Sequence, residues 1–267
     1  MAIKYDEFEG TKKKELHIFY VLDTSSSMSG APIGALNDAM RATVEELRKI
    51  DGDKADLRIG VLEYNSKNCW VTQGNNGLEN LQDFFWTDLQ ATGMTYLGSA
   101  LRELNTSLSR NDKMKSETGN KVPVVIFMSD GQPTDDWQED LRVLAENKWY
   151  RAAIKIAFAL GELADTDVLA NVIGVTKTGE LVPNYEAVIK TNDLQVFANM
   201  IQVVSVSSSL AASSSRPVGF EVTSEEIAKE AAGKNAKTDE KGVNIVDTTS
   251  GDDIYSQDPD DGFNDIV

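Results

Sequence analysis

Three near-continuous apolar runs constrain this chain more than any other feature: Leu16–Leu22 (LHIFYVL), Val122–Met128 (VPVVIFM) and Ala152–Leu160 (AAIKIAFAL). A strand that is apolar on both faces needs cover on both, which a parallel sheet between two helix layers provides. Asp56–Tyr64 (DLRIGVLEY) adds a fourth strand, with Leu57, Ile59 and Val61 alternating. Cys69–Thr72 follows the turn residues Asn65 and Ser66 and is expected to pair with it as a hairpin. Between the strands, Ile33, Leu36, Met40, Val44 and Leu47 recur at helical spacing, with Pro32 in the first turn. Leu97, Leu101, Leu104 and Leu108 repeat the pattern. A capping box of Asp136 and Glu139 predicts a third helix, and Asp165–Val172 and Asp193–Val206 supply two more. The alternation specifies an α/β fold of three layers, Rossmann-like, with a mostly parallel central sheet and one antiparallel edge strand.

The composition shifts near residue 205. Ser205–Ser215 holds seven serines in eleven residues, and 13 acidic and 5 basic residues follow. We therefore expect a lead-in over 1–13, a globular domain over 14–210, and a serine-rich linker with a flexible acidic tail over 211–267. Within that tail only Thr223–Gly233 looks structured, from a capping box of Thr223 and Glu226 and a stop at Gly233.

A net charge of −17 opposes binding to nucleic acid phosphates or to an anionic membrane surface. One cysteine, Cys69, and one histidine, His17, leave no intrachain disulfide and no Cys/His zinc site. The first residues lack a signal-type apolar stretch, and no segment is expected to reach the roughly 20 apolar residues of a membrane span, so a cytoplasmic location is expected.

The first strand runs straight into Asp23-Thr24-Ser25-Ser26-Ser27. Thr95 precedes the second helix, and Asp130 follows the third strand. In open α/β sheets, ligands bind outside the carboxyl ends of strands. Two carboxylates and three hydroxyls, without sulfur or nitrogen, suit hard cations such as Mg²⁺, Mn²⁺ or Ca²⁺.

Asp-x-Ser-x-Ser, then Thr, then Asp, in this order, resembles the metal-ion-dependent adhesion site of von Willebrand factor type A domains. The resemblance covers roughly residues 14–210. It implies metal contact through the hydroxyls of Ser25, Ser27 and Thr95, with Asp23 and Asp130 binding directly or through water. It further implies an open position for a partner's Asp or Glu, rimmed by Met28, Tyr96 and Gln132. The phrases LDTSSSMSGAPIGALN, SDGQPTDDW, IAFALGELADTDVL and NDLQVFANMIQVVSVSSS are similar to the bacterial TerY-like branch. That branch implies a tellurite-resistance, stress or defence setting, with a protein kinase and a PP2C-type phosphatase nearby. Ser26 departs from the glycine that the family usually carries there, which touches loop freedom rather than ligation.

Simpler roles are expected elsewhere: Asp135 and Asp136 as helix caps, Cys69 as a small core residue, His17 as a satisfied strand residue, and Phe84–Trp86 as core packing. The competing function is a Mg²⁺-dependent phosphohydrolase with Asp23 as nucleophile. Ser25 stands where such enzymes carry their acid/base aspartate, and no phosphate-cradling glycine motif is present. A non-catalytic binding module is the expectation. Thr248, Thr249, Ser250, Tyr255 and Ser256, set among aspartates, are candidate phosphorylation sites in a tail that acts as an interaction or kinase-substrate segment.

Overall fold

The computed structural model describes residues 13–52, 55–74, 78–213, 222–236 and 244–245. Its strands are β1 (Glu15–Asp23), β2 (Asp56–Tyr64), β3 (Asn68–Trp70), β4 (Glu79–Asn80), β5 (Val124–Ser129), β6 (Ile154–Leu160), β7 (Val188–Thr191) and β8 (Asn244–Ile245). They form one sheet in the order β3-β2-β1-β5-β6-β7-β8, with β4 also paired to β2. β2, β1, β5, β6 and β7 are mutually parallel, and β3 makes the expected antiparallel hairpin edge on β2.

Period-two alternation divides β1 between two cores. Leu16, Ile18, Tyr20 and Leu22 enter one cluster with α1 (Ala31–Ile50) and α6 (Leu194–Ser213), while Phe19 and Val21 enter the other. That second cluster is closed by α2 (Leu97–Ser107), α3 (Gln138–Ala145), α4 (Lys148–Ala152) and α5 (Thr166–Ile173). This two-sided cover explains why β1 and β5 read as unbroken apolar runs.

Three expectations are corrected. The serine-rich stretch is no linker up to Ser213: it forms the last turns of α6, where Ser205, Ser208 and Ser209 are buried. Tyr20 donates to Ser205 Oγ at 2.8 Å, and Ser209 Oγ donates back to the Ser205 carbonyl at 2.6 Å. Small hydroxyls that bond locally are tolerated inside a helix contact, so serine content misplaced the boundary. The chain beyond is not wholly a tail either. In α7 (Ser224–Ala236), Ile227, Ala228 and Ala231 are buried in the α1–α6 core. The Thr223–Glu226 capping box forms in both directions, at 3.1 and 3.2 Å, but Gly233 does not end the helix. Finally, Cys69 is exposed on the edge strand, not buried.

Smaller departures follow the same logic. α3 starts at Gln138 with no side-chain cap, so the Asp136–Glu139 box is not used. Phe84 is buried and Trp86 packs against the core, whereas Phe85 is exposed under the Arg48 guanidinium. His17 is buried with Nε2 at 3.3 Å from Glu15, and its Nδ1 has no partner among the described residues. α6 is long and apolar enough to cross a membrane by composition, contrary to the expectation from sequence. Half of it is buried in the core.

Candidate metal centre

β1 and β5 lie side by side at the point where the strand order reverses, so their carboxyl ends open the crevice of the sheet. Asp23 is the last residue of β1, and Asp130 follows the last residue of β5. A 3₁₀ turn at Ser26–Met28 then folds the first loop back toward the second. Ser27 Oγ donates to Asp130 Oδ1 at 2.7 Å, and Ser25 Oγ lies 3.0 Å from Ser27 Oγ. Four of the five expected donors are thus held close, Asp23 through its bond from the Ser25 amide at 2.8 Å.

Thr95 arrives by its backbone. Ser26 N donates to Gly93 O at 3.0 Å, Thr92 N to Thr24 O at 2.8 Å, and Thr134 N to Thr95 O at 2.8 Å. Its loop is therefore tied to both of the others. Gly93 makes the turn feasible: its φ is +77°, and a Cβ there would lie 2.6 Å from Ser66 Oγ. Gly98, the second residue of α2, permits a close approach instead: a Cβ there would lie 2.9 Å from the Asp136 carbonyl.

Burial raises the Asp23 carboxyl above its ordinary range, with the Asp130 charge adding to it and bonds from Ser129 and Ser25 opposing it. Asp130 is also raised by burial, against the bond from Ser27. Among the described residues, neither carboxylate forms an ion pair with a lysine or arginine, and no group of three or more acids, histidines or cysteines gathers anywhere. Two unpaired carboxylates beside three hydroxyls match the donor chemistry of a divalent hard cation.

The rim differs from expectation. Met28 is fully buried in the α1–α6 core, because the 3₁₀ turn sends its side chain beneath the loop. Gln132 is exposed and Tyr96 half-buried. Met94, beside Thr95, is 49% exposed. Asp135 is a cap, as expected, but of α2: its Oδ2 accepts from Ser99 N at 3.2 Å. Thr248, Thr249, Ser250, Tyr255 and Ser256 lie outside the described residues.

Sequence reasoning missed Ser129. Ser129 Oγ donates to Asp23 Oδ2 at 2.6 Å and to the Gly131 carbonyl at 3.2 Å. A hydroxyl at the last position of β5 was the available signal. A cavity of about 740 Å³ lies elsewhere, between the ends of α5 and α6 and the start of α7, lined by Lys155, Val175, Val182, Ala211 and Glu225. It includes none of the acidic-site residues.

An open, mostly parallel sheet whose switch-point crevice is edged by Asp-x-Ser-x-Ser, Thr and Asp defines an α/β domain of the doubly wound class. The von Willebrand factor type A domain model matches residues 17–199, and the chain belongs to that family. Among curated proteins it is similar to inter-alpha-trypsin inhibitor heavy chain H1 of Bos taurus, 26% identical over 198 residues. That match covers 72% of this chain and 21% of the relative. Heavy chain H6 of Homo sapiens is 24% identical over 140 residues, covering 49% of this chain and 10% of that protein. The chain thus spans about a fifth or less of the curated relatives it matches. Among solved structures, a von Willebrand factor type A protein from Catenulispora acidiphila aligns with a TM-score of 0.54 at 14% identity, over 73% of this chain and 43% of that one. Proximal thread matrix protein 1 from the mussel byssus aligns at 0.51 with 19% identity, over 73% and 47%. At these identities the structures speak to the fold.

Proposed function

We propose that this domain is a non-catalytic, metal-dependent protein-binding module. Ser25, Ser27, Thr95 and Asp130 would hold a divalent cation, Mg²⁺ first and Mn²⁺ or Ca²⁺ as alternatives, with Asp23 acting through water. Both oxygens of Asp23 are already engaged, by Ser25 N and Ser129 Oγ, and the residue is fully buried. The observation that carries this reading is the 2.7 Å contact from Ser27 to Asp130, which brings two loops into one oxygen cluster without a neutralising side chain. When bound, the cation supplies an electrophilic position for an anionic oxygen. The chain's own residues leave the outer side of that cluster exposed at Ser26 and Ser27. A protein partner presenting one Asp or Glu carboxylate fits that opening, with Gln132, Tyr96 and Met94 around it.

The hydrolase alternative fares worse. A nucleophilic Asp23 must face the substrate, and here it is fully buried with each oxygen already accepting a hydrogen bond from its own fold. From the TerY-like phrases we extend the proposal to a cytoplasmic bacterial stress, tellurite-resistance or defence setting, with a kinase and a PP2C-type phosphatase as associated proteins. Affinity purification with Mg²⁺ or with EDTA, beside an aryl phosphate assay, tests the reading. The expected outcome is a partner lost on chelation and no phosphatase turnover; metal-dependent turnover abolished by Asp23→Asn contradicts it.

A further inference from the structure

We infer that the cavity at the amino end of the sheet binds a small organic carboxylate. Lys155 and Arg151 would hold its headgroup, and an apolar wall would take its body. The site lies at the opposite end of the strands from the acidic cluster and does not depend on it. Its volume of about 740 Å³ is in the range of pockets that enclose a small molecule. Residues 153–155 at the start of β6 form one side, residues 173–175 at the end of α5 another, and residues 223–225 at the start of α7 a third. Lys155 N donates to Ser224 Oγ at 3.1 Å, which ties the strand to the helix start.

Lys155 is 6% exposed, and its Nζ donates to the carbonyls of Tyr150 and Ala153. An ammonium has three protons, and among the described residues the third meets no acceptor. The Tyr150 ring, 5.3 Å from Nζ, offers its face but no charge. No carboxylate of the described residues lies within 4.0 Å of Nζ. Glu225 shares the cavity, but its Oε1 accepts from Asn184 Nδ2 at 2.6 Å. Burial lowers the Lys155 pKa only to about 8, so the amine keeps its proton at neutral pH. Buried charges are ordinarily paired. Arg151 has a similar deficit: Nη1 reaches the Thr178 carbonyl at 3.3 Å, while its buried Nε has no partner among the described residues. Two cations short of an acceptor thus line one cavity, and an anion there would satisfy both. Ile173, Val175 and Val182 stand on the same walls, so the occupant needs a hydrocarbon body as well as a charge. The Glu225 carboxylate disfavours a dianion such as phosphate, which leaves a monocarboxylate.

Calorimetric titration of the full chain with sodium octanoate tests this, beside 1-octanol as a neutral probe with the same body. EDTA in the buffer removes the acidic site from the readout, so either result leaves the metal proposal untouched. Octanoate should bind, and octanol should bind about tenfold more weakly or not at all. Lys155→Met should weaken octanoate binding by about tenfold, and Arg151→Gln by roughly three- to tenfold. No octanoate binding, or octanol binding as tightly, overturns the inference. Wild-type affinity in Lys155→Met does so too; should that variant not fold, wild-type affinity in Arg151→Gln has the same force. β8 runs antiparallel to β7, toward the amino end of the sheet, and seven aspartates follow it in sequence. A chain ending at Ile245, which keeps every described residue, is therefore titrated as well. Equal affinity in that chain supports a free carboxylate as the ligand. A gain of about tenfold on truncation overturns it, since an aspartate of the chain's own tail then fills the site.

Discussion

Ser27 and Asp130 stand 103 residues apart in sequence and 2.7 Å apart in the fold, hydroxyl to carboxylate, with no cationic partner recorded for the acid among the described residues. The contact sets the site's cost as well as its use. Asp130 adds its charge to a buried Asp23 whose carboxyl is already raised. Asp130→Asn should therefore stabilise the metal-free domain slightly, by about 0.5 kcal/mol, as removal of a functional like charge commonly does. Urea denaturation in EDTA measures it. A loss of more than about 1 kcal/mol would mean that the carboxylate itself holds the loop together.

Gly93 is expected to tolerate no side chain. Gly93→Ala combines a positive φ with a Cβ 2.6 Å from Ser66 Oγ, so a loss of about 1–3 kcal/mol should appear in the same unfolding assay. Because this turn delivers Thr95, metal affinity should drop with it. An unchanged transition would show that the loop relaxes freely.

α7 should behave as part of the domain. Ile227 is 1% exposed, and Ile227→Ala is expected to cost about 2–4 kcal/mol by denaturant titration. A chain ending at Ser213 should melt earlier than the full chain. Equal stability of the two would return α7 to the status of an appendage.

Lys155 gives the stability a pH dependence. Its Nζ donates to the carbonyls of Tyr150 and Ala153 at 3.0 and 3.1 Å, and burial foremost lowers its pKa from 10.5 to about 8. Between those values the folded chain has shed the proton and the unfolded chain retains it, so stability rises with pH across the window. The gain is up to ~3 kcal/mol and is complete near pH 10.5. Below about pH 8 both states are protonated and the slope vanishes. Lys155→Met should remove the slope; a variant with the wild-type slope would place its origin elsewhere.

Much of this architecture was legible because burial on both faces leaves an unmistakable apolar run in β1, β5 and β6. The acid and hydroxyl positions followed from where those runs stop: Asp23 ends β1, and Ser25, Ser27 and Asp130 lie just past strand ends. Three features were illegible for definite reasons. Met28 reads as a rim residue from its neighbours, but a 3₁₀ turn reverses which side faces the core. The start of α7 was readable from its capping box, but its packing was not, because Ala228 and Ala231 are too small to form a visible apolar stripe. The serines past residue 210 read as linker because composition does not record that Tyr20, on β1, donates into the α6 serines and that the helix runs on to Ser213.

The central claim is that the five-oxygen cluster binds a divalent cation, and a thermal melt of wild type beside Asp130→Ala, with and without Mg²⁺ or Mn²⁺, tests it most directly. Metal should raise the wild-type transition, by ~2.7 kcal/mol of stability at a hundredfold excess over the dissociation constant, and leave Asp130→Ala unmoved. A wild type indifferent to Mg²⁺, Mn²⁺ and Ca²⁺, or a variant that shifts as much as wild type, would contradict it.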